Sequence, residues 1–242
     1  MKILDQSFTT PEENIACDEA LLNESEASGG AEVLRFWTSR NYFAVLGYSN
    51  AWKEELKTRT AVPVLRRCSG GGAVLQGPGC LNYSLILKIP HDDVGAHSCA
   101  PLRGIVSTNR YVMEKNRAAL ETLLGKTVRV QGHTDLTLED RKFSGNSQRR
   151  LKKRLLFHGT FLLDFDLAKI SGILKPPPKE PAYRAGRKHG AFVMNLEVSP
   201  EKIKRALASA WRAEKDLEDP PLERMQALTA ERYSKEEWNF KF

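Results

Sequence analysis

Short hydrophobic stretches bounded by turn residues fill the first half of the chain, and they constrain the fold more than any other feature. Each stretch is a few residues long and is followed by glycine or polar residues, which is typical of strands. The longest alternates, with Tyr83, Leu85, Leu87 and Ile89 on one side. The predicted strands cover residues 33–37, 43–46, 62–67, 73–75 and 82–89.

A helix is predicted before these strands. Thr10 can cap it, Pro11 suits its first position, and Glu13 can complete a capping box. We expect it to run to about Ser25 and to stop in the turn at residues 28–30, where two glycines follow a serine.

The rest of the chain adds a long helix, more strands and further helices. Ile105, Val112, Ala119 and Leu123 recur at helical spacing and predict an amphipathic helix that ends at Gly125. Strands are predicted at 128–131, 142–147 and 155–165, a proline-rich loop at 175–181, and helices after Ser199 and Pro221. This order predicts an α+β fold with a central mixed, mostly antiparallel sheet flanked by helices. We expect one domain over 1–242, with 197–242 as a helical C-terminal segment.

Composition excludes several classes of protein. Hydrophobic residues make up 41% and charged residues 28% of the 242, which excludes wholesale disorder and collagen-like repeats. No apolar run reaches the ~18 residues of a membrane-spanning helix, and the first residues lack the apolar core of an export signal. The cysteines at 17, 68, 80 and 99 share no C-x-x-C spacing, so neither a zinc knuckle nor a redox pair is predicted. We therefore expect reduced thiols, a cytoplasmic location and no membrane partner.

The charge is concentrated in one window. Thirty-seven Lys and Arg against thirty Asp and Glu give a net charge of +7. Residues 141–154 hold seven basic residues and no acidic one, so the whole excess lies there. Such a patch favours an anionic partner, whether nucleic acid, phosphate or an acidic protein surface. For residues 149–154 taken alone, a solvated hairpin tip is the favoured alternative.

A glycine triplet is the first candidate site. Ser69 is followed by Gly70, Gly71 and Gly72, between a strand that ends in two arginines and a second short strand. Consecutive glycines let backbone N–H groups approach an anion. The run matches neither a P-loop nor the G-x-G-x-x-G pattern, and a glycine triplet alone is more often a mobile turn.

Three other places could carry chemistry. If residues 142–148 form a strand, then Lys142, Ser144, Asn146 and Gln148 share one polar face suited to phosphate, although an exposed sheet face fits the same pattern. His158 lies in an apolar strand, where a histidine is more often a hydrogen-bonded core residue than a catalyst. Asp135 could bind a metal or cap a turn.

Together these segments resemble the motifs of the lipoate–protein ligases. The ordered set covers nearly the whole chain and is specific, although each motif is weak alone. The matching segments are RFW at 35–37, VLGYSN at 45–50, RRCSGGGAV at 66–74, NYS at 82–84, TD at 134–135, RKFSGNSQ at 141–148, HGT at 158–160 and YSKEEWN at 233–239.

The resemblance implies a fold and a reaction. The fold is the catalytic domain shared by biotin and lipoate ligases, distantly related to class II aminoacyl-tRNA synthetases. The family uses ATP to convert lipoate, or octanoate, into an acyl-adenylate, and a lysine of a lipoyl-domain protein then accepts the acyl group. The implied partners are Mg²⁺, an acidic lipoyl-domain acceptor and a separate accessory subunit, because this chain lacks the accessory C-terminal domain of the longer ligases. A nucleic acid partner is not expected.

The resemblance also assigns roles to residues. Lys142 is implied as the catalytic residue that contacts the phosphate and the acyl carbonyl. Asp135 is implied in substrate binding and as a metal ligand. The other implied substrate- and nucleotide-binding residues are Arg67, Ser69, Gly70, Gly71, Gly72, Ala73, Gln76, Asn82, Ser144, Gly145 and His158. Many family members have His-Asp where this chain has Gln76-Gly77, so a contact there is expected to differ.

Three alternatives stay open at this point. An octanoyl- or lipoyl-transferase of the same fold needs a thiolate, and Cys68 is the one cysteine that adjoins a motif. A biotin ligase is disfavoured because the chain has no G-R-G-R loop. An RNA-binding module would need stacking aromatics among the basic residues, where only Phe143 and Phe157 lie in or near the window.

Overall fold

The computed structural model describes residues 1–57, 62–90 and 101–242. Cys99 lies outside these residues. The strands are β1 (Lys2–Asp5), β2 (Val33–Trp37), β3 (Phe43–Leu46), β4 (Val64–Arg66), β5 (Val74–Gln76), β6 (Cys80–Lys88), β7 (Arg129–Gln131), β8 (Asp135–Leu138), β9 (Arg141–Arg150), β10 (Arg154–Leu162) and β11 (Lys215–Asp216). The helices are α1 (Pro11–Ser28), α2 (Trp52–Glu55), α3 (Ile105–Leu124), α4 (Leu167–Ile173), α5 (His189–Phe192), α6 (Pro200–Trp211), α7 (Leu222–Leu228) and α8 (Glu236–Asn239).

The strands of the described part form two sheets. The large sheet has eight strands in the order β11-β1-β2-β6-β10-β9-β8-β7 and the small one three, in the order β4-β3-β5. Pairing is parallel for β11 with β1, β1 with β2 and β3 with β4, and antiparallel elsewhere. The predicted α+β fold with a mixed, mostly antiparallel sheet is confirmed.

Helices cover both faces of the large sheet. α3 and α6 pack on one face, which carries Tyr83, Leu85 and Leu87 as the alternation predicted. α1 and α7 pack on the other, where Ile86 and Leu156 are fully buried. Residues that lie opposite each other on adjacent strands point to the same face of the sheet. The strand register therefore shows which face each side chain of the sheet occupies.

Helix ends follow the predicted capping chemistry. The Glu13 backbone N–H donates to Thr10 Oγ1 at 3.2 Å, and the Thr10 N–H donates to Glu13 Oε2 at 2.9 Å. α3 ends at Gly125, which has a left-handed φ of 61°. Ile105, predicted to belong to the buried stripe of α3, is instead 61% exposed because it lies in the first turn, beyond the edge of the core.

Several elements were not predicted. β1, β8 and β11 are at most four residues long, and β1 pairs with β11 through Lys2 and Lys215, at opposite ends of the sequence. The segment 197–242 therefore includes a strand as well as helices. The short helices α2, α4 and α5 were also missed. None of the helices in the described ranges is both long and apolar enough to cross a membrane.

Candidate active site

A cavity of about 1080 Å³ lies on the α1-facing side of the large sheet. The sheet supplies its floor through the aligned residues Gly145, Thr160, Asn82 and Trp37 on four adjacent strands. The small sheet and the glycine triplet form one wall. The opposite wall is residues 175–193, which we call the strap.

Arg67 builds the glycine loop, residues 67–72. Its guanidinium donates to the carbonyls of Gly70 and Gly72, at 2.5 and 2.9 Å from Nη2, and to Val45 O at 3.3 Å. Burial lowers the pKa of Arg67 to about 10. Gly71 has a φ of 88°, and a Cβ there would lie 2.9 Å from Arg67 Nη2. The hydrogen bonds of Arg67 thus close the loop around one buried cation.

A chain of hydrogen bonds ties this loop to the large sheet. Ser69 Oγ lies 2.8 Å from Ser147 Oγ and 2.6 Å from His158 Nε2. His158 Nδ1 faces Asp18 Oδ2 at 3.4 Å, and Asp18 Oδ1 accepts from Arg35 at 2.5 Å. Burial alone would raise the pKa of Asp18, but Arg35 and His158 hold that pKa below its usual value. Ser69 does not line the cavity. This series of hydrogen bonds therefore positions the loop and does not supply a nucleophile.

Lys142 faces the loop from the other side of the cavity. Its Nζ lies 2.7 Å from Asp135 Oδ1, and Asp135 Oδ2 accepts from the Tyr183 hydroxyl of the strap at 2.7 Å. A Cβ at Gly145 would lie 2.7 Å from Lys142 Nζ, so glycine at that position leaves room for the ammonium group. With 27% of its side chain exposed, Lys142 is open to a ligand in the cavity.

The predicted shared face of residues 142–148 is wrong, because β9 contains a bulge. Leu136 pairs with Ser144 while Thr137 pairs with Lys142, which leaves Phe143 as an extra residue. Ser144 lies opposite the core residue Phe161, and its side chain faces α3, as do Asn146 and Gln148. The bulge therefore puts the Lys142 side chain on the same face as Gly145, opposite to the side chains of Ser144, Asn146 and Gln148.

A short polar chain on the cavity floor leaves two groups unpaired. Gln76 Nε2 donates to Thr160 Oγ1 at 2.6 Å, and Thr160 donates to Asn82 Oδ1 at 2.6 Å. Gln76 Oε1 and Asn82 Nδ2 are buried and have no hydrogen-bond partner among the described residues. If both amides were flipped, one donor and one acceptor would still be left over. Because unpaired buried polar groups are costly, these atoms are available to a polar ligand group in the cavity.

Most of the predicted site residues meet in this one cavity. Ser69 and Gly70 are the two that do not line it: Ser69 is buried and Gly70 is exposed to solvent. The predicted residues that line the cavity are Arg67, Gly71, Gly72, Ala73, Gln76, Asn82, Asp135, Lys142, Ser144, Gly145 and His158.

Sequence reasoning missed Asp18, Glu55 and Tyr183. Glu55 is 4% exposed and accepts from the Ala73 backbone N–H at 3.2 Å, which anchors the end of the glycine loop. The sequence offered one signal for Asp18, an acidic residue among the apolar residues of α1, and one for Tyr183, an aromatic residue in a basic segment.

The described cysteines are poor nucleophiles. Burial raises the pKa of Cys17 to about 11 and that of Cys80 to about 12, and it raises the pKa of Cys68 further still. None of these three thiols lines the cavity. Cys68 instead packs among the hydrophobic residues between the sheets and α1.

The end of the basic window is only partly a solvated tip. Arg154 is 5% exposed and donates to the carbonyls of Ser25 and Gly30 at 3.1 and 2.8 Å. Arg150 donates to Leu102 O at 2.9 Å. Lys152 and Lys153 are exposed in the turn. The two arginines therefore brace neighbouring segments, and only the two lysines fit the hairpin-tip prediction.

The cavity thus brings together a glycine loop backed by a buried cation and a lysine–carboxylate pair, an arrangement that suits an anionic ligand group. The catalytic-domain model of lipoyl protein ligases A and B matches residues 10–211. The chain belongs to this family.

Relatives with two different names match the chain. An octanoyltransferase, LipM, of Carboxydothermus hydrogenoformans is 30% identical to this chain over an alignment of 281 positions. The alignment covers 100% of this chain and 98% of the relative. Lipoate–protein ligase 1 of Staphylococcus aureus is 27% identical, over 98% of this chain and 72% of the relative.

Solved structures share the fold. A lipoate–protein ligase A bound with ATP has a TM-score of 0.79 at 24% identity, covering 99% of this chain and 98% of that one. The bipartite lipoate protein ligase of Thermoplasma acidophilum, described with its E2 lipoyl domain, has a TM-score of 0.79 at 23% identity, covering 99% and 95%. At these identities the likeness establishes the fold alone.

Proposed function

We propose that this protein uses ATP to attach lipoate or octanoate to a specific lysine of a lipoyl-domain protein, through an acyl-adenylate. The observation that carries the proposal is the position of Lys142, which faces the glycine loop across a cavity large enough for both substrates. The ligase name of the S. aureus relative and the ATP in the structurally similar ligase support it.

The reaction has two steps, and the residues suit the first. The acyl carboxylate attacks the α-phosphate of ATP, and pyrophosphate leaves. Negative charge develops on the phosphate oxygens, where one ammonium group held in advance is stabilising. Asp135 and Tyr183 hold Lys142 in place for this role. In the second step the acceptor amine attacks the acyl carbonyl, AMP leaves, and the amine loses a proton.

The cavity residues fit a nucleotide better than they fit a metal. The leftover donor and acceptor of Asn82 and Gln76 can pair with polar groups of a nucleotide. Asp135, by contrast, already uses both carboxylate oxygens, and the described residues contain no group of three metal-ligating side chains. A Mg²⁺ role for Asp135 stays a prediction.

ATP-independent octanoyl transfer is the second candidate. The match to LipM over the full length of both chains favours it. The thioester version of this mechanism needs a thiolate near the acyl carbonyl. Cys17, Cys68 and Cys80 do not supply one, since all three lie outside the cavity lining and have raised pKa values.

Lipoate-dependent exchange of labelled pyrophosphate into ATP tests the proposal, with and without an added lipoyl domain. Exchange that requires lipoate and disappears in the Lys142→Ala variant would support the ligase. ATP-independent transfer from an octanoyl thioester, with no exchange, would establish the second candidate instead.

We further propose a cytoplasmic location and an acidic lipoyl-domain acceptor. The T. acidophilum ligase, which was described with its E2 lipoyl domain, supports an acceptor of this kind. An accessory subunit is expected from the resemblance alone. Its need is tested by whether the isolated chain catalyses pyrophosphate exchange.

A further inference from the structure

A cationic aromatic patch lies outside the cavity. We define the patch as Tyr48, Trp238, Phe242, Arg149 and Lys241. Lys241 Nζ lies 3.8 Å from the ring centroids of both Tyr48 and Trp238, and the Arg149 guanidinium lies 5.5 Å from that of Tyr48. Tyr48 and Phe242 are 38% and 52% exposed. The patch therefore combines exposed apolar surface with positive charge.

The two cations of the patch form no ion pair within the described part of the chain, and the exposed Glu236 and Glu237 beside Trp238 are the nearest acidic residues to Lys241 in sequence. Arg232 beside them, by contrast, is paired with Glu19. Burial lowers the pKa of Lys241, and repulsion from Arg66, Arg232 and Arg149 lowers it further. Like charges held together in this way are stabilised by an anion.

The patch adjoins the cavity through two connections. The Tyr48 N–H donates to Ser69 O of the glycine loop at 2.8 Å, and the next residues, Ser49 to Ala51, line the cavity. Arg149 follows Ser147 by two positions on β9, so it shares the cavity face and lies about 7 Å further along the strand. A partner seated on the patch would reach the cavity with a protruding side chain.

We propose that this patch is the docking surface for the acceptor protein, which presents acidic side chains to Arg149 and Lys241 while its target lysine enters the cavity. The inference rests on the proposed function only in naming the acceptor as the partner. The docking charges proposed here are Arg149 and Lys241, and not Lys152 and Lys153 in the turn. The number of basic residues in the window does not distinguish Arg149 from those two lysines.

The ring geometry favours a protein over RNA. Single-stranded nucleic acid binds by stacking bases on open aromatic faces. Here Arg149 and Lys241 lie over the Tyr48 ring, and Arg232 and Lys241 over that of Trp238. Tyr48 and Trp238 also meet edge to face at 5.9 Å. The faces of these rings are therefore covered by cations, which leaves no open face for a base to stack on. The same cations can still form ion pairs with carboxylates of a protein.

The test compares two double variants with the same change in charge, Arg149→Glu/Lys241→Glu in the patch and Lys152→Glu/Lys153→Glu in the turn. The probe is the isolated T. acidophilum E2 lipoyl domain, with a second copy whose surface Asp and Glu are replaced by Asn and Gln. Association is followed by stopped-flow fluorescence without ATP or lipoate, at low salt and at 0.15 M salt. A milder variant, Arg149→Gln/Lys241→Gln, is included in case the reversal disturbs folding.

We expect the patch variant to associate about ten- to a hundredfold more slowly than wild type at low salt, the glutamine variant to be intermediate, and the turn variant to change less than threefold. The difference should shrink at 0.15 M salt, where the Debye length is ~8 Å. Equal losses in the two double variants, or unchanged binding of the neutralised lipoyl domain, would overturn the proposal. So would patch variants that lose binding to a uridine oligonucleotide but keep the lipoyl domain.

Pyrophosphate exchange, measured in parallel without acceptor, separates this proposal from the proposed function. If exchange is absent in wild type while the patch variant still associates slowly, the ligase proposal fails and the docking surface stands. If exchange is normal in all variants and association is also unchanged, the docking surface fails alone.

Discussion

Two cations face the same cavity from opposite sides, and they differ in how much of their bonding capacity the protein itself uses. Arg67 is 7% exposed and donates to carbonyls and a hydroxyl of its own loop and to the Val45 carbonyl of β3. The Lys142 side chain is 27% exposed, and among the described residues it has one ion-pair partner, Asp135. A cation saturated by backbone carbonyls has little capacity left for substrate, so we assign Arg67 to building the loop and Lys142 to chemistry.

The two sides also differ in how they are assembled. The glycine loop is local: Arg67 and the carbonyls of Gly70 and Gly72 lie within five residues. The Lys142 side joins β9, the residue that opens β8, and the strap, through Asp135 and Tyr183. Substitutions on the loop side should therefore change stability, and those on the Lys142 side should change rate.

Replacing Lys142 with alanine should have the largest effect. Loss of one preorganised charge at a transition state typically costs ~10²–10³ in rate, so acyl-adenylate formation should fall by that factor. The free energy of unfolding should change by less than about 1 kcal/mol, because Asp135 keeps its bond to Tyr183. Pyrophosphate exchange and urea unfolding measure the two quantities.

The control for Lys142→Ala is Lys152→Ala, which removes an exposed lysine from the turn. Near-normal adenylate formation by the Lys142 variant would remove this residue from the chemistry. A large loss of stability in that variant would instead show that both cations build the fold.

Replacing Arg67 with methionine should reverse the pattern. One buried carbonyl, that of Val45, and two partly buried ones would lose their donor. A buried unsatisfied group costs about 1–3 kcal/mol and water can satisfy the other two, so unfolding should become easier by about 3 kcal/mol at most. Activity should fall only as the loop loosens, with a higher KM for ATP. A variant with wild-type urea stability and a purely lower kcat would contradict the scaffold role.

The sequence predicts one side of this comparison better than the other. The loop follows from adjacent residues, as do the Thr10 cap and the alternation that buries Tyr83 and Leu85. The orientation of Lys142 depends on a bulge at Phe143 that no periodicity reveals. Its environment depends on Tyr183, which lies 48 residues from Asp135 in sequence and is brought close only by the strap.

The same limit applies to the strands and to the basic window. β1 and β11 form a parallel pair between residues 2–3 and 215–216, a contact set by tertiary packing. Arg154 carries charge in the sequence, yet it is buried against carbonyls of α1 and the following turn. Charge counting locates a patch without showing which of its members face solvent.

Replacing Gly71 with alanine should have a smaller effect. It tests the backbone conformation of the loop while the charge of Arg67 is kept. The left-handed φ of 88° costs a residue with a Cβ about 1–2 kcal/mol, and the Cβ would press on Arg67 Nη2 at 2.9 Å. Unfolding should become easier by that amount, and the KM for ATP should rise. Gly70→Ala is the matched control, because a Cβ there has nothing within 4 Å. Equal effects of the two variants would contradict this interpretation of the loop.

Replacing Tyr183 with phenylalanine should have the smallest effect, since it removes one hydrogen bond and leaves the ring against Phe192. A bond to a charged group is worth about 1.5–3 kcal/mol, but water can replace the lost donor in this partly exposed site, so we expect a fall of about fivefold in kcat. The KM for lipoate and the urea midpoint should stay the same, because Tyr183 acts through Asp135 on the position of Lys142.

Tyr111→Phe is the control, since the Tyr111 hydroxyl forms no hydrogen bond with the described residues and its ring packs on Trp211, away from the cavity. In a Lys142→Ala background the Tyr183 substitution should have no further effect on rate. A fivefold loss that persists in that background would show that Tyr183 contacts substrate directly and does not act through the Lys142–Asp135 pair.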